Sequence, residues 1–406
     1  MIYQHAKMRD VREATRRRRE IAFPIGAVAS LEELDRDPHP LLARLREHEP
    51  VSWIPALEGW LVTRRDLALQ AMRDSESFTV DDPRFSTGRV VGPSMLTLDG
   101  PEHARHRDPF ARPFRLDAVR ERFTALVEDE TERLIEALEP AGRAELRRAF
   151  AGPLAARVVA HALGLEGTDT AAMLGWYDAI VDSVTGVAAG NPITPAGRDA
   201  FAALRSGVEP MLDRDPGSSL VAAASGSGGL ERAEVVSNAA VLLFGGIETT
   251  EGMIANAVLH LLAHPEQRAL VESDRGLMAN AVEESLRLEP AAAVIDRYAT
   301  GDVRLGDAEI GQGELVTISI AGANRDPDVF PDPDRFHARR ENARLHVAFA
   351  HGPHVCIGMH LARLEAHTAV GRLLERLPRL RLDPAHPAAP RGLVFRKPPE
   401  LHVVWD

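Results

Sequence analysis

The chain has 406 residues, of which 45% are hydrophobic and 27% charged, a composition typical of globular proteins. Its 48 Lys and Arg against 60 Asp and Glu give a net charge of −12, which argues against nucleic acid as a partner. A single cysteine excludes a disulfide-stapled secreted fold and suits the cytoplasm, and the absence of a signal peptide or a long apolar run argues against a membrane partner.

The predicted elements are mostly helices. Residues 1–30 are expected to form a weakly anchored arm, and we interpret its Arg16–Arg19 run as a solvated face, with a nucleic-acid or membrane patch as the alternative. Pro50–Ile54 and Gly59–Thr63 then predict a β-hairpin. Amphipathic spacing predicts further helices over Leu116–Leu138, Pro153–Leu163, Ala171–Val187, Ala196–Leu212, Ala233–Leu262, Arg268–Leu288 and His360–Arg376.

The remaining strands are predicted towards the C-terminus. They cover Val303–Leu305 with Glu309–Ile310, Leu315–Ile320, and a last pair at Gly392–Phe395 and Glu400–Val404. A proline-rich meander without periodicity separates the strands from the last helix. Because we find no repeat and no long linker, residues 1–406 are predicted to form one mainly α-helical domain with small sheets.

The first motif that suggests chemistry is the segment 99–107. His103 and Arg107 are four residues apart, so they share one face of a helix. Such a face suits an anionic ligand, although a solvated surface would show the same pattern.

The second motif lies inside the longest predicted helix. Gly245 and Gly246 would each cost about 1 kcal/mol relative to alanine, and the usual reason to retain such residues is a kink or the close approach of another group. Glu248 and Thr249 follow directly, and a carboxylate beside a hydroxyl can relay protons to a ligand. The alternative is a structural kink with Glu248 in a salt bridge elsewhere.

The third motif is Glu284 with Arg287. The i,i+3 spacing places both charges on one helix face. Taken alone, the pattern favours an ordinary surface ion pair.

The fourth motif surrounds the only cysteine, Cys356. One thiol can be a buried filler, a nucleophile or a single axial ligand to a metal. Gly352 and Gly358 permit close approach of the backbone to a large flat ligand, and His354 can reach an anionic group. A helix is predicted to begin just after Cys356, and its N-terminus would favour a thiolate.

Together the four motifs resemble those of a bacterial cytochrome P450, a soluble haem-thiolate monooxygenase, over nearly the whole chain from about Leu31 onwards. The family pattern Phe-Gly-x-Gly-x-His-x-Cys-x-Gly is met except that Ala350 stands where glycine is usual. We expect a changed backbone detail there, with the haem retained. The resemblance implies the P450 fold: a triangular helical prism with small β-sheets, with haem b between a long distal helix and the cysteine-loop helix.

The resemblance also implies roles for individual residues. Cys356 would be the axial ligand of the haem iron, with Phe349 packed near its sulfur. Glu248 and Thr249 would be the acid–alcohol pair that delivers protons. The other expected haem contacts are His103, Arg107, Gly245, Arg297, His354 and Gly358. Glu284, Arg287 and Arg335 would form a buried structural trio.

The implied activity is insertion of one atom of dioxygen, by hydroxylation or epoxidation, into a lipophilic small molecule such as a secondary metabolite. We expect a cytoplasmic monomer that receives electrons from a separate ferredoxin and its NAD(P)H-dependent reductase. The expected pocket residues are Leu98, Leu242, Val294, Ile295 and Phe395. The basic residues expected near the cysteine loop, as a docking patch for the ferredoxin, are Arg105, Arg112, Arg339, Arg340, Arg344 and Arg363.

Three alternatives remain at this point. A non-oxygenating haem-thiolate enzyme, catalysing oxidative coupling or ring formation, would share these motifs. A cysteine hydrolase could use Cys356 and His354, but it would not need the distal glycines. A haem-binding sensor would not need the acid–alcohol pair.

Overall fold

The structure is a computed structural model that describes residue 14 and residues 17–188 and 190–405. Arg16 of the arginine run lies outside these residues. The first part of the chain contains α1 (Pro24–Ala27), α2 (Leu31–Arg36), α3 (His39–His48), β1 (Val51–Ile54), β2 (Gly59–Val62), α4 (Arg65–Arg73), β3 (Phe78–Thr79), α5 (Ser86–Val91), α6 (Gly100–Ala111), α7 (Leu116–Leu138), β4 (Arg143–Glu145), α8 (Gly152–Leu163), α9 (Thr170–Ala188), α10 (Pro195–Val208) and α11 (Leu220–Gly226).

The second part contains the longest helix and most of the sheet. Its elements are α12 (Arg232–Ala263), α13 (Pro265–Ser273), α14 (Met278–Leu288), β5 (Val294–Ala299), β6 (Val303–Leu305), β7 (Ala308–Ile310), β8 (Leu315–Ser319), α15 (Ile320–Ala323), α16 (Met359–Arg376), β9 (Arg381–Leu382) and β10 (His402–Val404). Short 3₁₀ turns at Ala343–Leu345 and Gly352–His354 lead into α16.

The strands form a main sheet and two smaller ones. The main sheet has the order β1-β2-β8-β5-β3, in which β2 and β8 are parallel and the other pairs antiparallel. The β1–β2 and β6–β7 hairpins agree with the sequence prediction. The predicted final pair is wrong, because β10 pairs with β4 and β9, and residues 392–395 make only an isolated bridge to Ala292.

The helix α12 forms the centre of the larger apolar core. It begins with a capping box between Glu231 and Glu234, which satisfies backbone donors at its N-terminus. It packs against α8, α14 and α16, and its residues from Val235 to Leu261 are almost all buried. These contacts place the Gly245–Thr249 segment and the helix that follows Cys356 in one core.

One predicted helix is divided in two. The sequence favours a continuous helix over Arg268–Leu288, whereas the structure ends α13 at Ser273 and begins α14 at Met278. The Asp274 carboxylate accepts a hydrogen bond from the Gly276 N–H at 3.1 Å and so stabilises the turn between them.

The C-terminal part of the predicted arm, from Arg19 to Ser30, packs against the rest of the domain, whereas most of residues 1–16 lie outside the described residues. The Arg19 guanidinium lies 4.5 Å from the centre of the Trp53 ring and forms an ion pair with Glu314 at 2.7 Å. The buried Glu49 carboxylate accepts hydrogen bonds from the Ile25 and Gly26 N–H groups. Within the described residues, no helix is long and apolar enough to cross a membrane.

Candidate functional site

The cysteine loop is held by backbone geometry on both sides of Cys356. The Cys356 N–H donates to the Phe349 carbonyl at 2.8 Å. Gly352 has φ +75°, and a Cβ atom there would lie 2.6 Å from the Met72 carbonyl of α4, so only glycine fits. Ala350 has φ +57°, a left-handed conformation that glycine adopts at lower cost. The backbone at Ala350 is therefore compatible with the glycine of the family pattern.

The Cys356 side chain is exposed, yet burial by the surrounding protein raises the pKa of its thiol. The two observations fit a thiol that faces a hollow inside the protein and not the bulk solvent. The Gly358 N–H, Arg107 and Arg363 each oppose the effect of burial and lower the pKa of the thiol. Burial therefore outweighs these three groups, which lie on the loop, on α6 and on α16 and each favour the ionised form.

One face of α12 is accessible within an otherwise buried stretch. From Val235 to Leu261 the partly exposed residues are Leu242, Gly245, Gly246 and Thr249, whose spacing places them on a single helix face. A Cβ atom at Gly245 would meet nothing within 4 Å, whereas one at Gly246 would lie 2.5 Å from Val159 Cγ2 of α8. Gly246 thus serves helix packing, and Gly245 leaves room on the accessible face.

Four cationic or imidazole side chains converge beside the cysteine loop. The rings of His103 and His354 lie 4.3 Å apart between centroids, and Arg107 donates to the Val355 carbonyl at 2.7 Å. Arg297 is buried, and its positive charge lowers the pKa of His354, after the larger effect of burial. Burial and the charges of His354 and Arg107 lower the pKa of His103 to about 4.

Asp99 is the carboxylate that this cluster contacts. It accepts a hydrogen bond from His354 at 2.7 Å and others from Thr79 and the Val80 N–H. Burial raises the pKa of Asp99, but these hydrogen bonds outweigh it and hold the pKa well below its ordinary value. The sequence motif begins at Asp99, although its role there was not predicted.

One nitrogen atom of the cluster has no hydrogen-bond partner and could bind an anion. His103 is buried, and its Nε2 atom has no hydrogen-bond partner in the described protein. Buried polar atoms are normally paired, so an unpaired imidazole nitrogen near Arg107 fits a ligand with carboxylates. With the accessible Cys356 and the open face at Gly245, these residues fit a haem with its two propionates.

Glu248 and Thr249 are not hydrogen-bonded to each other in the described structure. Thr249 Oγ1 donates to the Gly245 carbonyl at 2.7 Å. The Glu248 carboxylate is buried and faces Lys397 Nζ at 2.8 Å and the Tyr177 hydroxyl, which also hydrogen-bonds to it. The predicted acid therefore points away from the predicted alcohol.

Lys397 also reaches a second buried carboxylate. Its Nζ atom lies 2.5 Å from Glu251 Oε2, and the other oxygen of Glu251 lies 3.0 Å from Arg147 Nε. Arg148 lies 3.8 Å from the same Glu251 oxygen, so three cations surround the two buried carboxylates and compensate their charge. No sequence motif indicated Lys397, because it lies far from α12 along the chain.

The predicted structural trio contains a different arginine. Glu284 and Arg287 are fully buried and form a bidentate ion pair, with Nε–Oε2 at 2.7 Å and Nη2–Oε1 at 2.9 Å. The second cation at Glu284 is Arg340, at 2.9 Å, and not Arg335. The Arg335 side chain is exposed, while its carbonyl accepts hydrogen bonds from both Arg287 and Arg340.

The expected pocket residues come from several separate segments of the chain. Leu242 lies on the accessible face of α12, and Phe395 is half-buried in its bridge to Ala292. In β5, Ile295 shares a strand face with Arg297 and packs in the same apolar cluster as Ala350, whereas Val294 lies on the opposite face. Leu98 is half-buried directly before Asp99.

Comparisons with known proteins extend over nearly the whole chain. A family model described as Cytochrome P450 matches residues 212–402. The cytochrome P450 monooxygenase PikC of Streptomyces venezuelae is 37% identical over 368 residues, which cover 86% of this chain and 85% of that protein. The 20-oxo-5-O-mycaminosyltylactone 23-monooxygenase of Streptomyces fradiae is 34% identical over 393 residues, 93% of this chain and 90% of that protein.

The fold is also similar to that of solved structures. The structure of P450BioI in complex with hexadec-9Z-enoic acid ligated acyl carrier protein has a TM-score of 0.83 and 29% sequence identity. The match covers 92% of this chain and 100% of that chain.

Proposed function

The chain belongs to the bacterial cytochrome P450 superfamily of haem-containing monooxygenases, and we propose that it inserts one atom of dioxygen into a lipophilic small molecule by hydroxylation or epoxidation. The observation that carries the proposal is the accessible Cys356, in a loop that contacts the cluster containing the unpaired His103 Nε2 and leads into a helix packed on α12. A cysteine hydrolase would need no such cluster, and a sensor would need no buried acid beside Thr249.

The proposed cofactor is haem b, which supplies the oxygen-activating chemistry when bound. Cys356 would be the axial ligand of its iron. His103, Arg107, Arg297 and His354 would bind the propionates, because they bring positive charge and an unpaired nitrogen to one place. The small residues Gly245 and Gly358, and the Phe349 ring, would border the macrocycle.

The proposed proton path begins at Glu248. Both of its oxygens are held by Lys397 and Tyr177, so it is buried with a cation and a neutral hydroxyl. Thr249, on the accessible face of α12, would be the last protein hydroxyl on the path. To serve Thr249 directly, the Glu248 carboxylate would have to exchange the contact with Lys397 for one on the Thr249 side.

The proposed electron donor is a ferredoxin that docks near the cysteine loop. Arg112 and Arg344 are exposed and form no ion pair within the described residues, and Arg339 is also exposed. Leu116 and Leu345 are 44% and 49% exposed beside these arginines in the sequence, which suits a mixed apolar and basic docking surface.

Three of the predicted docking arginines are already paired. Arg105 forms ion pairs with Glu102 and Glu234, and Arg340 is buried at Glu284. Arg363 is paired with the buried Glu283. The surface proposed for an acidic partner is therefore smaller than the sequence suggested.

The substrate proposal is limited to a chemical class. PikC and the tylactone monooxygenase are relatives from Streptomyces, and the name of the latter states that it oxidises a glycosylated tylactone. Leu242, Ile295 and Phe395 are partly buried at the edges of the apolar cores and would line the pocket, so we propose a lipophilic secondary metabolite. The single cysteine suits a reducing compartment, and the enzyme is proposed to act in the cytoplasm as a monomer.

The test combines a spectrum with isotope labelling. The reduced holoprotein with carbon monoxide should show the long-wavelength Soret band of thiolate-ligated haem, and Cys356→Ser should lose that band. A panel of lipophilic compounds would then be screened for a shift of the haem from low to high spin. With a hit and ¹⁸O₂, the product should contain one labelled oxygen atom. A product without label would contradict oxygen insertion and would indicate oxidative coupling or ring formation.

A further inference from the structure

A further buried carboxylate contacts α16, the helix that follows the cysteine loop. Glu283, on α14, is fully buried and next to the structural Glu284 in the sequence. Its two oxygens accept from Arg363 Nε at 2.6 Å and Nη2 at 3.0 Å, and it also lies 3.0 Å from His346 Nε2. Burial raises the pKa of Glu283, but the hydrogen bonds from His346 and Arg363 outweigh it and lower the pKa to about 2. The group is therefore a permanent negative charge at neutral pH.

The hydrogen bonds also define the state of His346. The Ala348 N–H donates to His346 Nδ1 at 3.2 Å, so the ring proton lies on Nε2 and is donated to Glu283. Glu283 is thus oriented by α14, by the segment before the cysteine loop and by α16 at once. Each side chain has its partner, so the geometry leaves Arg363 little freedom.

Arg363 connects this group to the cysteine loop. Its guanidinium carbon lies 4.4 Å from the centre of the Phe349 ring, a cation–π contact. The Phe349 carbonyl accepts the hydrogen bond from the Cys356 N–H. The Arg363 side chain is 24% exposed and its charge faces the protein, so a docking role does not account for these contacts.

We propose that Arg363 is a positioning residue that sets the electrostatic environment of the proximal ligand, with Glu283 and His346 holding its cation against Phe349. The proposal rests on the proposed function, because it takes Cys356 as the haem ligand. A fixed positive charge near the haem favours the state that has gained an electron, so Arg363 raises the reduction potential. Glu283 has the opposite charge and by itself lowers the potential.

The two charges can be separated by mutation. The potential of the substrate-free holoprotein is measured by spectroelectrochemistry with small-molecule mediators, so that no ferredoxin takes part. Arg363→Met should lower the potential, and Glu283→Gln should raise it, each by at least about threefold in the equilibrium constant for reduction. The double variant should lie between the single variants.

Two further variants separate charge from shape. Arg379→Met makes the same chemical change at an exposed arginine and should leave the potential unchanged. Arg363→Lys retains the charge and should keep the potential near that of the wild type, although it loses the planar stacking on Phe349. Resonance Raman spectra of the iron–sulfur stretch would show whether the Cys356 bond changes with the charge.

The result that would overturn the proposal is a shift of the same sign in both single variants, or no shift in either. Either result would assign the cluster a purely structural role. If Arg363→Met does not fold, the double variant Arg363→Gln/Glu283→Gln is used, because it retains a hydrogen-bonded neutral pair. The reduction potential of this double variant is then compared with that of Glu283→Gln. A wild-type protein without the thiolate Soret band would refute the proposed function, whereas a normal band with unmoved potentials would refute only this inference.

Discussion

The most direct test of the buried ionic network at Glu284 is whether its second cation is Arg340 or Arg335. Arg340 donates from Nε to the Glu284 carboxylate at 2.9 Å, and its other nitrogens donate to the carbonyls of Pro331, Asp332 and Arg335. The guanidinium is therefore satisfied by one charge and three carbonyl groups. Arg340→Met would remove all four hydrogen bonds and leave one buried carboxylate with a single cation.

The expected cost is large. Removing one partner of a buried ionic group typically costs about 3–5 kcal/mol. An unfolding entropy of about 2.1 cal/mol/K per residue over 406 residues gives about 0.85 kcal/mol/K, so the melting temperature should fall by about 4–6 °C. Arg335→Met removes an exposed side chain and retains the carbonyl, so it should change the free energy of unfolding by no more than about 0.5 kcal/mol.

The measurement is urea unfolding of the holoprotein, followed by far-ultraviolet circular dichroism and by the haem Soret band. Both variants make the same arginine-to-methionine change, at positions five residues apart in the chain. If Arg335→Met destabilised the protein as much as Arg340→Met, the assignment of the third charge to Arg340 would be refuted. If neither variant changed stability, the network would not stabilise the fold.

The remaining predictions concern the cysteine loop, acid stability and proton supply. Ala350→Gly should raise the free energy of unfolding by about 1 kcal/mol, since φ is +57° there, and a loss of stability in urea would contradict the backbone conformation. The pKa of Glu283 is lowered from 4.5 to about 2, so its contribution to stability is fully present above about pH 4.5 and is lost as the pH falls towards 2. Acid titration of Glu283→Gln should therefore lack about 3 kcal/mol of that loss, and an unchanged profile would argue against the ionised carboxylate. Thr249→Ala should divert NAD(P)H oxidation from product to peroxide. The same yield of product per NAD(P)H in the variant and the wild type would exclude a role of Thr249 in proton delivery. Lys397→Met leaves the Glu248 carboxylate without its cation, so it should lower the fraction of NAD(P)H oxidation that yields product at least about tenfold. Lys397→Arg is the control that should restore this fraction. A wild-type fraction in Lys397→Met would show that Glu248 does not take part in proton supply.

Much of the fold follows from local sequence patterns. The amphipathic spacing over Leu116–Leu138 predicted α7 with its observed bounds, and the hairpin before α4 was also predicted. The positive φ of Ala350 and the four-residue spacing of His103 and Arg107 depend on neighbours within one turn or loop, whereas Gly352 is required by a tertiary contact with the Met72 carbonyl. Features that depend only on short-range sterics and periodicity can be predicted from the local sequence.

The sequence alone therefore indicated which residues could carry chemistry: a lone thiol, a cationic cluster, an acid next to an alcohol along the chain, and a Glu–Arg pair whose burial only the family resemblance implied. The tertiary structure decided their partners. Arg340 reaches Glu284 because the irregular meander turns its side chain inward, and Glu248 faces Lys397 because the C-terminal segment packs against α12. Arg363 likewise faces Glu283 and Phe349 and not the solvent. Those choices depend on contacts between distant segments, whose geometry is set by packing of the whole core and not by any local pattern.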